Sequence, residues 1–520
     1  MPARGIVVRG SAWCALVLVS AAGACSSTHA SDQTGDNGYD ASQSSSGAPN
    51  SDASGSEDAS GSSSGTFMGG KGDASVDGPA GCIGLLCDVP QGCTTSITGT
   101  VYDPAGANPL YNVVVFIPVD PSGNLPAIKS GTNSCNTCDV SIGDYVTATN
   151  SLSDGTFKLT GVPAGENVPI VVQVGKWRRM ATIPTVTACA NTALPGSSMT
   201  RLPAKRSEGN IPQMALVTGG QDNLGCFLEG VGLDPSEYSA PHAGGRVDIY
   251  QGLPTSGTTV APGLSPGDAG TAGDCTSDNH DCVWNSKSNL ESYDMVLLAC
   301  EGDTFDPAES TSRVTNKTTS SKTALHDWLA EGGKVFATHY QYTWFKNGPP
   351  DFQGVADWLG GSGGYDMGGY TVDTTFPKGK VLDEWLGTVG ALSQGQIYLL
   401  QVGESVGAVI PPTQRWIYNP AADVATGLSN DTKYMSFLTP IGGIPDAGPS
   451  DAGPSYCGKA VFSDLHAGGS PVGAIPGACA GPPISQQLKA LEFLFFDLSA
   501  CVANDSLAPP NPPPWQPPAQ

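Results

Sequence analysis

The chain has 520 residues and a net charge of −24, from 24 Lys and Arg against 48 Asp and Glu. That acidity repels phosphate backbones and anionic surfaces, which argues against nucleic acid as a partner. Charged residues make up only 14 %, while Gly (68) and Pro (42) are abundant. This balance fits a β-rich, loop-rich exported protein better than a helical cytosolic enzyme.

Residues 1–24 have the make-up of a targeting segment. Arg4 and Arg9 give a positive start, and WCALVLVSAA is an apolar core. That core is too short for a permanent span, which needs about 20 apolar residues. Ala22-Gly23-Ala24-Cys25 follows and resembles a bacterial lipobox, with Ala22 where Leu is preferred. The resemblance implies cleavage before Cys25 and lipidation of its thiol. A plain secretory signal cut nearby is the other reading. Ser26 and Ser27 lack the aspartate of inner-membrane retention, so the expected location is the cell envelope, lipid-anchored at the outer membrane. The membrane is thus one expected partner.

Residues 25–80 are rich in Ser, Gly and Asp, with almost nothing apolar to bury, and are expected to be a disordered tether. Such a coil spans roughly 40 Å root-mean-square. Fifteen cysteines, less Cys14 and Cys25, leave thirteen in an oxidising compartment. Cys82, Cys87, Cys93, Cys135, Cys138, Cys189, Cys226, Cys275, Cys282, Cys457, Cys479 and Cys501 are disulfide candidates, with connectivity open. Cys135 and Cys138 form a CxxC with no second CxxC to complete a zinc site, so a disulfide is the simpler reading.

Residues 81–203 hold short β-like runs: SITGTVYD, NVVVFIPV, GTFKLTGV, NVPIVVQVGKW and RMATIPTV. Turn chemistry at 121–123, 153–155 and 163–165 separates them. Several short strands without a helix predict a β-sandwich. Gly99, Val101 and Asp103, then Asp154, Gly155, Phe157, Leu159, Val162, Pro163 and Gly165, resemble the carboxypeptidase regulatory-like family of immunoglobulin-like sandwiches. That resemblance covers about a fifth of the chain and implies a spacer or binding module without catalysis.

From residue 204 to 503 strands alternate with helices, which predicts βαβ units around a parallel sheet. IPQMALVTGG, GRVDIYQG, DMVLLACEGD, KVFATHYQYTWF and GKAVFSDLH are the strands. Helices are expected over DNLGCFLEGVGLDPSEY, capped by Asp222, over SSKTALHDWLAEGG and over PISQQLKALEFLFFDLSACV. Residues 365–440 are expected to form a β-rich elaboration, 444–455 a low-complexity loop, and 504–520 a disordered Pro-rich tail. The turn LVTGGQDNLG lacks both GxGxxG and GK[ST], so it is no nucleotide loop.

Ligands of open parallel sheets bind beyond the carboxyl ends of the strands. Those ends carry Gln221, then Cys300, Glu301 and Asp303, then His339 and Tyr340, then Asp464 and His466. Cys300, Glu301, His339 and His466 are the catalytic candidates, because a nucleophile beside a base is the minimal hydrolytic set. Gln221, Asp303, Tyr340 and Asp464 are the ligand-binding candidates. The bland readings are a buried or disulfide-bonded Cys300 and hydrogen-bonded core histidines. His326 is expected at the surface of its helix.

YDMVLLACEGD, LAEGGKVFATHYQYTWF, VLDEW and GKAVFSDLHAG resemble the glutamine-amidotransferase-like superfamily and its trehalose-utilisation-type members. The resemblance covers roughly half the chain and implies a flavodoxin-like three-layer α/β domain, with His339 and His466 at family histidine positions. Two departures argue against glutaminase activity. The family's nucleophile elbow holds Thr338-His339-Tyr340 with no Cys, and Ala467-Gly468 after His466 leave it without the expected acid. The expected protein is therefore multidomain, a sandwich followed by an α/β domain. Its expected role is adhesion, envelope organisation or glycan binding, with a glycan or envelope protein as partner. The alternative is an exported hydrolase or sugar-modifying enzyme. No motif calls for a metal or cofactor.

Overall fold

The computed structural model describes residues 82–131, 142–253, 270–271, 282–360, 366–419, 432–444, 455–466, 479 and 484–508. The leader, Cys25, the tether, Cys135, Cys138, Cys275, most of the 444–455 loop and the end of the tail lie outside them. The described fold is mostly β, with several sheets and few helices. No helix among the described residues is long and apolar enough to cross a membrane.

The N-terminal part stacks apolar side chains between two small sheets. One is antiparallel and runs Tyr145–Asn150, Val114–Pro118, Gly165–Val174, Trp177–Val186, Gly209–Asn210. The other runs Thr156–Thr160, Ser96–Thr100, Asn191–Ala193. Alternation sets the faces: in Thr156–Thr160 only Phe157 and Leu159 are buried. Gly155, at φ 74°, makes the turn before that strand, where a Cβ would stand 2.5 Å from the ring of Pro109. The Tyr145–Asn150 strand goes unread in the sequence because only Tyr145 of its six residues is buried. The larger sheet also continues past residue 203, through Gly209–Asn210.

The second part has one large mixed sheet. Its parallel core runs Val247–Gln251, Met214–Thr218, Met295–Leu298, Lys334–Thr338, Gly458–Ser463. In chain order that is 2-1-3-4-5, the arrangement of an open doubly wound sheet. Both faces are covered. Leu216, Leu297, Phe336 and Val461 pack toward Phe227 and the last helix, Gln486–Ser499. Val217, Val296, Ala337 and Phe462 pack toward Trp328 of Thr319–Ala330 and toward Phe345. Strands buried on both sides carry near-continuous apolar runs, as these do.

Residues 366–439 do not stand apart. Thr432–Thr439 pairs antiparallel with Gly458–Ser463, and Gln414–Tyr418, Asp366–Val372 and Gln396–Val402 extend the same sheet. The first residues of the expected tail are also folded in. Asp505 is buried and pairs with Lys378 (2.8 Å) and Lys459 (2.7 Å), which both also hold Asp497. Four buried charges of balanced sign satisfy one another there, and Ser436 Oγ donates to Asp505.

The two parts share a core. Trp177 of the sandwich meets Phe495 and Phe496 of the last helix edge-on, and Tyr111 stacks on Phe493. Trp385 Nε1 donates to the Pro109 carbonyl at 2.6 Å. Trp177, Trp344, Trp385 and Trp416 are fully buried. Disulfides join Cys82 to Cys87, Cys93 to Cys189 and Cys226 to Cys479, and Cys282 and Cys457 are disulfide-bonded as well. Cys501, just past the last helix, is half-buried.

Candidate functional site

The site forms where the strand order reverses, at the carboxyl ends of Met214–Thr218 and Met295–Leu298 and of their neighbours Lys334–Thr338 and Gly458–Ser463. In open sheets of this order the helices leave to opposite faces at that point, and here the residues that meet there are buried. The turn after the first strand closes directly on the next one. Gln221 N donates to the Cys300 carbonyl at 3.1 Å, and a Cβ on Gly219 would stand 2.0 Å from that same oxygen.

Asp222 is the centre of this junction. The sequence assigns it as a helix cap, but Asn223 caps the helix, accepting from Cys226 N, and the helix covers only Leu224–Gly230. Asp222 points inward instead. Its Oδ2 accepts from Cys300 N at 3.1 Å and from the Thr338 hydroxyl, and its Oδ1 lies 3.0 Å from His466 Nδ1. The acid expected after His466 is thus supplied from the end of Met214–Thr218, with two strands between it and Gly458–Ser463 in the same sheet. No local spacing could reveal this, because Asp222 and His466 meet only through strand order.

His339 sits where the Lys334–Thr338 strand turns into the short 3-10 turn His339–Tyr342. Its φ is 39°, in the left-handed region that a side-chain-bearing residue seldom occupies. The turn aims its ring at two neighbours: Nδ1 is 3.5 Å from Cys300 Sγ, and the ring lies 4.6 Å centroid to centroid from His466. Cys300 is a buried free thiol, not a disulfide. Cys300, His339 and His466 each offer one donor atom, and the three atoms lie within 4.8 Å of one another.

Burial governs the charges here. It pushes the Cys300 thiol well up, and the Asp222 charge adds to the effect. His339 is held down to about 3, first by burial and then by His466. Burial thus disfavours the charged form of both the thiol and the imidazole that faces it. Asp464 is also pushed up by burial. Its Oδ2 accepts from Ser405 N at 2.7 Å, while Oδ1 has no hydrogen-bond partner among the described residues. A Cβ on Gly403 would stand 2.5 Å from that oxygen and 2.7 Å from His339 Nε2, so only glycine lets this strand pass. Lys433 Nζ donates to the Gly403 carbonyl at 2.8 Å.

The other expected residues do different work. Glu301 is fully buried and paired with Lys317, and it accepts from Gln341 Nε2 at 3.1 Å and from Leu253 N at 2.6 Å. It is held apart from the histidine cluster as a structural ion pair under Trp284 and Phe305. Asp303 organises its own loop, accepting from Thr304 N and from Ser310 Oγ. Gln221 lies against Gly302. Tyr340 is half-buried with its ring 4.3 Å from that of His339, beside the cluster. His326 is half-buried between Asp327 and Asp351. A cavity lined by Leu110, Tyr111, Trp385 and Phe493 lies at the seam between the two parts and shares no residue with this site.

No family model and no curated protein matches the chain. Among solved structures, a protein from Bacteroides uniformis named as ThuA-like matches with 9 % identity. The match covers 55 % of this chain and 90 % of that one, with a TM-score of 0.23. At that score the likeness says nothing about chemistry.

Proposed function

We propose that this chain is an exported, lipid-anchored protein of the outer membrane that binds a ligand at the strand ends rather than turning one over with a thiol nucleophile. In this reading Cys25 carries the anchor and residues 26–80 the tether. An immunoglobulin-like, carboxypeptidase regulatory-like sandwich and a flavodoxin-like, trehalose-utilisation-type α/β domain follow. The ligand class is a glycan or an envelope protein.

The observation that carries the reading is the burial of Cys300 and His339, whose Sγ and Nδ1 lie 3.5 Å apart in the interior at the strand ends. A catalytic cysteine works as thiolate, drawn down by an imidazolium or another positive neighbour. Here burial pushes the Cys300 thiol up and holds His339 down, which is the opposite of thiolate activation, and the nearest acid in sequence, Glu301, is paired with Lys317. The shared core at the seam adds a second support, since it holds sandwich and site in one fixed relation for display.

The test uses the mature chain in detergent. A thiol-reactive probe under native conditions should leave Cys300 unlabelled, and a glycan array or envelope-fraction pull-down should return a ligand without chemical conversion. Rapid stoichiometric labelling of Cys300, or turnover abolished by Cys300→Ser, would overturn the binding reading.

A further inference from the structure

We infer that Cys300, His339 and His466 form a binding site for one divalent metal ion of the zinc class. The inference goes beyond ligand binding at the strand ends and does not depend on it. One thiolate and two imidazoles form a borderline-soft donor set that suits zinc and disfavours calcium or magnesium, which take oxygen ligands.

Distance is the first argument. Zinc sits about 2.3 Å from sulfur and about 2.0–2.1 Å from imidazole nitrogen, so a tetrahedral edge from sulfur to nitrogen is roughly 3.6 Å. Cys300 Sγ and His339 Nδ1 are 3.5 Å apart, and no pair among the three donors exceeds 4.8 Å. Closing the remaining gap takes a shift on the order of 1 Å in one ring.

The second argument is the surrounding shell. A ligating histidine ordinarily gives its other N–H to a carboxylate, which fixes the tautomer and the ring. His466 does so through Nδ1 to Asp222 at 3.0 Å, which leaves Nε2 as the donor. His339 turns Nδ1 toward sulfur and its Nε2 edge toward Gly403, against which Asp464 Oδ1 also lies. Those two atoms are within about 5 Å of each other. That oxygen belongs to a wholly buried side chain, has no hydrogen-bond partner among the described residues and lies in the field of the Lys433 ammonium. Asp222 also fastens the ligand strands together, through Cys300 N and the Thr338 hydroxyl. On binding, the Cys300 S–H bond breaks, its proton leaves to solvent, and the sulfur lone pair goes to the metal. Asp222 is a positioning residue in this scheme.

The experiment uses the mature full-length chain in detergent, stripped with a chelator and titrated with cobalt(II) and separately with zinc. One equivalent of cobalt should give tetrahedral visible bands and a thiolate-to-cobalt band in the near ultraviolet. Zinc should raise the melting temperature. Cys300→Ser should lose the sulfur band, and His466→Ala should weaken zinc at least a hundredfold. Asp222→Asn should weaken it about ten- to hundredfold while keeping the sulfur band. Should these variants fail to fold, X-ray absorption of the zinc-loaded wild type decides, with one sulfur at about 2.3 Å and nitrogen or oxygen at about 2.0 Å. No tetrahedral cobalt spectrum at one equivalent, a sulfur band surviving in folded Cys300→Ser, or a zinc shell without sulfur would each overturn the proposal.

Discussion

Glu492→Gln should stabilise the protein at alkaline pH and leave it nearly unchanged in mild acid. Asp103 lies in the sandwich and Glu492 on the last helix, and they meet inside the seam. Asp103 Oδ1 accepts from Ala107 N at 2.7 Å, and Glu492 Oε2 accepts from Asn108 Nδ2 at 2.8 Å. The remaining oxygens, Asp103 Oδ2 and Glu492 Oε1, are buried with no other hydrogen-bond partner among the described residues. Two carboxyls so placed share one proton, because the low-dielectric seam penalises two charges. Burial pushes Asp103 up to about 6 from 3.8, and burial together with the Asp103 charge pushes Glu492 well up. Between 3.8 and about 6 the native chain holds a proton that the unfolded chain has released. Stability therefore falls as pH rises through that window, and it continues to fall above it while the buried Glu492 still holds the proton that the unfolded chain has lost. The gap for Asp103 converts to roughly 3 kcal/mol lost at neutral pH relative to the protonated pair. A glutamine supplies a permanent N–H to Asp103 and still accepts from Asn108, so most of that loss should be recovered. Urea unfolding followed by tryptophan fluorescence, with disulfides intact, should show a gain of roughly 1–3 kcal/mol near pH 8 and close to none near pH 4.5. An equal effect at both pH values, or a loss at pH 8, would refute the shared-proton reasoning.

Asp505→Asn should destabilise by about 3–5 kcal/mol, since Lys378 and Lys459 would then share a single buried acid, Asp497. The Lys neighbours hold the Asp505 carboxyl well below its usual range despite burial, so its contribution is present above about pH 4 and fades on acidification below it, readable as a pH-dependent melting temperature. Glu301→Gln should cost a similar 3–5 kcal/mol by stranding Lys317, yet leave cobalt binding at Cys300 intact in the folded fraction. Gly403→Ala should lower both melting temperature and zinc affinity, because the added methyl meets His339 and Asp464 within 2.7 Å. Cys25→Ser should move the protein from the membrane to the soluble fraction, since each buried acyl CH₂ contributes about 0.8 kcal/mol; unchanged fractionation would remove the lipid anchor from the reading.

The chain itself determined where most strands lie and which face they bury. Phe157 and Leu159 alternate inward, and the short apolar runs around Leu216, Leu297, Phe336 and Val461, bounded by turn residues, fit strands covered on both sides. Glycine turns, such as the one at Gly155 before Phe157, marked where some of those strands begin. Histidines at strand ends were legible too, because an open sheet sends its strand ends to one edge. What the chain could not disclose is which ends become neighbours. Asp222 adjoins the residue that caps the helix, Asn223, whereas strand order brings it to His466 and to Cys300 N. Glu301 adjoins Cys300 in sequence, yet its side chain is held by Lys317, sixteen residues later, and stays out of the cluster. Asp505 resembled the start of a loose tail until two buried lysines from distant elements required a partner. In each case local propensity acts over a few residues, whereas a buried charge must find its complement anywhere in space, and only the folded sheet decides where that is.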